Sequence, residues 1–135
     1  MRFVSAFIMM LAASLAASVA HAHGPTRQKA FETITIKASP DAVWAKVSDF
    51  TQLQSWHPAV ESSTATNGSN AGSVRTLKLK GGGELVETLE SIDPAAKKFS
   101  YRAKDGGALP VTNYSSNLTV KPGDGGTSVV EWRGA

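Results

Sequence analysis

The chain opens on an apolar run. Residues 3–20 are apolar apart from three serines, follow the basic Arg2, and lead into Ala20-His21-Ala22. Charge, apolar stretch and A-x-A site in that order predict an export signal cleaved after Ala22. The run is short for a transmembrane span and no basic stop-transfer cluster follows it, so no stable membrane anchor is expected. The expected mature protein is periplasmic and spans residues 23–135.

Beyond the signal the period changes. Residues 23–30 are polar, contain Pro25 and read as an extended lead-in. Residues 31–36 alternate and are β-branched, which predicts a first strand. Ser39-Pro40-Asp41 then announces a helix: serine caps free N–H groups, proline fits the first turn, and aspartate suits the positive end of the dipole. Val43, Trp44, Val47 and Phe50 recur at helical spacing, which predicts an amphipathic helix through about Phe50. A second short helical turn over 51–55 stops before Pro58.

From there the pattern is strand-like. Candidate strands span 60–66, 73–80, 84–92, 97–103, 113–121 and 127–132, separated by Asn67-Gly68, Gly81-Gly82-Gly83, Asp93-Pro94, Asp105-Gly106-Gly107 and 122–126. Such turns predict an antiparallel meander. A loop at Gly81-Gly82-Gly83 would set Leu79 against Leu85, Leu77 against Glu87 and Arg75 against Leu89. All six would share the buried side, with Arg75 and Glu87 as diagonal neighbours. Placing Phe99 and Tyr101 inward with Leu89 calls for an odd loop or a bulge near Pro94. The fold class is α+β, a curved sheet whose inner face needs a cover. The sequence stops just after the last strand, so the expectation is either that a partner covers the sheet or that a C-terminal helix is missing.

Composition narrows the function. There is no cysteine, which excludes disulfides and thiolate metal sites. The formal net charge is only +3, and one less without Arg2. So mild an excess argues against nucleic acid as a partner. The glycine runs precede no helix and carry no Gly-Lys-Ser/Thr, so they are not phosphate cradles.

The order of elements, Ser39-Pro40-Asp41-Ala42-Val43-Trp44, and Asp49-Phe50 followed by Trp56-His57-Pro58 resemble the START/Bet v 1-like SRPBCC superfamily. Within it they are similar to the polyketide cyclase/dehydrase branch, over about residues 30–135. His23-Gly24-Pro25-Thr26, Trp56 to Glu61, Leu109 to Ser115 and Val130-Glu131-Trp132 are similar to periplasmic MxaD-type proteins, encoded with methanol-oxidation systems. The resemblance implies a helix-grip fold around a hydrophobic cavity. It also implies a binding or accessory role beside a quinoprotein dehydrogenase or its cytochrome.

Candidate residues carry two readings each. Trp56 could line a pocket mouth and His57 could titrate there, or Trp56 packs a helix and His57 caps a turn. Arg75 and Glu87 form either a polar anchor for a ligand or a cross-strand ion pair. Tyr101, Tyr114 and Trp132 are expected on the inner face with Leu77, Leu118 and Val130, as cavity lining or plain core. A mature His23 amine with His57 could chelate copper, but two histidines are a thin set, and no metal or other cofactor is expected. No assembled catalytic set is visible, which favours a binding protein over an enzyme. The alternatives are a cyclase or dehydratase using Glu87, Arg75, His57 and Tyr114 on a small apolar substrate, or a carrier of a hydrophobic ligand.

Overall fold

The computed structural model describes residues 29–105 and 112–135. The expected signal, His23 and Leu109-Pro110-Val111 lie outside the described residues. The chain runs through β1 (Ala30–Ile36), α1 (Pro40–Val47), a 3-10 turn (Leu53–Ser55), β2 (Val60–Ala65), β3 (Val74–Leu79) and β4 (Glu84–Asp93). It continues through β5 (Lys98–Asp105), β6 (Thr112–Pro122) and β7 (Ser128–Gly134). The strands make one antiparallel sheet in the order β1-β7-β6-β5-β4-β3-β2. Successive hairpins account for the neighbours from β2 to β7, and β1 closes against the last strand, Ala30 opposite Gly134.

α1 starts where the sequence says it should. Ser39 accepts a hydrogen bond from the Ala42 N–H at 3.2 Å, and Pro40 occupies the first turn. The helix ends earlier than the apolar spacing predicts, with Ser48 as its C-cap. Asp49 is the cause: its Oδ1 accepts from the Thr51 N–H at 3.0 Å and from the Thr51 hydroxyl at 2.7 Å, a local turn that competes with helix. Phe50 therefore lies beyond the helix, yet it is 2 % exposed. Its N–H donates to Ser69 Oγ at 2.9 Å, and its carbonyl accepts from Ser63 Oγ at 3.4 Å.

Val43, Val47, Phe50, Leu53 and Trp56 cover one end of the inner face. They pack on Leu77, Leu85, Leu89, Phe99, Leu118 and Val130. The β3–β4 register corrects the expected one. Lys78 faces Glu84, Leu77 faces Leu85 and Arg75 faces Glu87. The turn is closed by the Leu79 N–H on Gly83 O at 3.0 Å, and all three glycines of the loop have positive φ. The pairing is slipped two residues from the one a three-glycine loop would give. A two-residue slip preserves the face, so the expected buried side stands while Arg75 and Glu87 become direct partners. The expected bulge also moves. Leu89 pairs Tyr101 and Ser91 pairs Ser100, leaving Glu90 as the extra residue well before Pro94. That bulge turns Leu89, Tyr101 and Phe99 to the same side.

Candidate functional site

The inner face brings Arg75, Glu87, Tyr101, Tyr114 and Trp132 together from five strands. Arg75 on β3 and Glu87 on β4 are each 4 % exposed. Arg75 Nε donates to Glu87 Oε1 at 2.8 Å, and its Nη2 reaches the same oxygen at 2.6 Å. The other carboxylate oxygen accepts from the Tyr114 hydroxyl. The guanidinium is sandwiched as well: its carbon sits 4.0 Å from the Phe50 ring centroid and 5.0 Å from that of Tyr101. A buried ion pair holds only if each charge finds further partners, and here each does.

Tyr101 links this cluster to the far side of the sheet. Its ring stacks on Phe99 with centroids 6.0 Å apart, and its hydroxyl accepts from Trp132 Nε1 at 3.2 Å. The indole reaches that far because the residues around it are small. Ser116 faces both Tyr101 and Gly134 in the register, and a Cβ on Gly134 would stand 2.6 Å from Trp132 Cη2. Glycine is needed at 134 for this close approach alone.

Electrostatics leaves no free base in the cluster. Burial, and then the Glu87 charge, push both phenols above their ordinary value, so Tyr101 and Tyr114 stay protonated. His57 is held below its ordinary value by burial, which outweighs the pull of the Glu87 charge. It is neutral at neutral pH. Its Nδ1 accepts from the Ala59 N–H at 3.3 Å, so it caps a turn. Trp56 is a core residue at 7 % exposure, with its ring centroid 6.1 Å from that of His57. Leu77 lies in the core at 2 %. Among the described residues no group of three or more His, Asp or Glu side chains is arranged to hold a metal.

Sequence reasoning identified the charged pair, the phenols and the tryptophan. It missed Phe50 as the cover over Arg75 and Gly134 as the space for Trp132. Helical spacing assigned Phe50 to α1, and nothing around Gly134 signals a close approach.

Residues 27–135 match the family described as polyketide cyclase / dehydrase and lipid transport. The chain belongs to this family of the SRPBCC superfamily. Solved structures agree. The protein XoxI from Bacillus cereus is 33% identical with a TM-score of 0.71, over 79% of this chain and 73% of that one. A protein from Bacillus thuringiensis is 32% identical with a TM-score of 0.72, over 79% and 76%. Norcoclaurine synthase from Thalictrum flavum, at 18% identity and a TM-score of 0.65 over 84% of this chain and 76% of that one, shares the fold. These likenesses bear out the family expected from the sequence, its MxaD-like branch and its helix-grip architecture.

Proposed function

We propose that this family member is an exported, non-enzymatic binding protein that holds a small, largely apolar molecule on its inner face. One observation carries the reading. Among the described residues the one buried carboxylate of the face is engaged on both oxygens, by Arg75 on one and Tyr114 on the other. General base catalysis needs a carboxylate or imidazole able to take a proton from substrate. Glu87 has its oxygens occupied, and His57 uses Nδ1 within its own turn. Apolar walls with a few oriented polar groups suit binding instead.

The export signal expected from the sequence and the likeness to MxaD-type proteins support one setting for that role: a periplasmic accessory to methanol oxidation, acting beside a quinoprotein dehydrogenase or its cytochrome. Two measurements test the two halves. Native mass spectrometry of protein isolated without denaturation should find a bound small molecule that denaturation releases; a bare polypeptide mass would remove the binding half. Affinity capture from the periplasm of methanol-grown cells should enrich the dehydrogenase or the cytochrome. An eluate holding neither would remove the accessory half.

A further inference from the structure

The turn that joins β2 to β3 holds a reactive arrangement that the inner face does not use. Asn67 is exposed there, and its carboxamide has no hydrogen-bond partner among the described residues. Gly68 follows with φ of 56°, and its N–H likewise meets no acceptor among them. Without a side chain at 68 that nitrogen is uncrowded. Even an added Cβ would meet only Asn70 Nδ2, at 3.9 Å.

The carbonyl of the same peptide group is fully engaged. Asn67 O accepts twice from Asn70, from its N–H at 3.3 Å and from its side-chain Nδ2 at 2.9 Å. Donors aimed at a peptide oxygen stabilise negative charge on it, so they make the N–H of the same amide easier to deprotonate. A free carboxamide thus stands next to an unhindered nitrogen in an activated amide.

We propose that this turn modifies itself. Water or hydroxide takes the Gly68 amide proton, and the Gly68 nitrogen bonds to Asn67 Cγ. The Cγ–Nδ2 bond breaks, and that nitrogen takes up a proton and leaves as ammonia. Water then opens the five-membered imide at either carbonyl, leaving aspartate or isoaspartate at position 67. Asn70 is a positioning residue, because its two donors hold the charge of the attacking amide. The product reaches the buried pair. Ser73 Oγ holds the Asn67 N–H at 3.1 Å, and Ser69 Oγ holds the Phe50 N–H at 2.9 Å. Isoaspartate adds a methylene to the main chain between those two anchors, and Phe50 is the ring over Arg75.

Ageing the purified full chain in mildly alkaline buffer tests it, read by peptide mass spectrometry and isoaspartate-specific methylation. Position 67 should gain isoaspartate, while Asn70, Asn113 and Asn117, which precede residues larger than glycine, keep their amides. Asn67→Gln, whose longer side chain would have to close a six-membered ring, should abolish the product. Asn70→Ala should slow it about threefold to tenfold, the range one neutral hydrogen bond supports. A merely loosened turn would react faster, so slowing is not a by-product of lost structure. The isoaspartate form, isolated by chromatography, should unfold at lower urea than Asn67→Asp, which has the new charge without the added methylene. No isoaspartate at 67, or a rate that Asn70→Ala leaves unchanged or raises, overturns the proposal. An isoaspartate form as stable as Asn67→Asp overturns its reach to Phe50.

Discussion

Glu87 has two oxygens, and three donor atoms on two side chains surround them. Glu87→Gln keeps the shape and removes the charge, leaving a guanidinium buried with no counter-charge. The expected loss is about 3–5 kcal/mol of folding stability, read as a lower urea midpoint at unchanged slope. Replacing the pair together, Arg75→Met with Glu87→Leu, should recover most of that loss, because no charge is then left buried. A double variant as unstable as the single one would show that the pairing is not what matters. The pair is legible in sequence, since two charges fall among leucines on one side of a hairpin. Tyr114 is legible only as an inner-face aromatic. It lies 27 residues from Glu87, and β5 must sit between their strands before the two can touch.

The elements show which signals are local. Strand positions and faces follow alternation, and the structure keeps them to within a residue or two. Register does not follow, because three flexible glycines allow more than one closure and both closures bury the same face. The end of α1 fails for a related reason. The apolar period runs on to Phe50 because that ring covers Arg75, not because the backbone is helical. β7 carries a packing requirement that alternation cannot express. Gly134→Ala would push a methyl into the Trp132 indole, to 2.6 Å from Cη2. Overpacking of this kind costs about 1–3 kcal/mol. The variant should unfold earlier in urea, and its tryptophan emission should change in the native state. Unchanged emission and stability would mean the indole does not lie over residue 134.

At the scale of the molecule, the sheet is completed at one edge by the pair most distant in sequence, β1 with β7. The order from β2 to β7 was legible because hairpin follows hairpin, whereas the place of β1 beside β7 was not. The inner-face network was not, since it depends on five strands stacking in one register. The phenols report on that assembly. Both tyrosines of the chain have their pKa raised by burial in the folded state. Unfolded phenols ionise near about 10, so above that pH the unfolded chain sheds protons the folded one keeps. Stability present below that value is therefore lost as pH rises past it. Phenolate absorbance should appear in one cooperative step, together with loss of the fold. A tyrosine that titrates alone near its ordinary value, with the sheet intact, would contradict the buried network.

The direct pairing of Arg75 with Glu87 also constrains descent. A lineage that loses either charge first passes through a protein weakened by a large part of a typical domain's stability, which is about 5–15 kcal/mol. An apolar pair could suit the same place as well, yet single substitutions reach it only across that valley. Divergence at the two positions should therefore change both or neither.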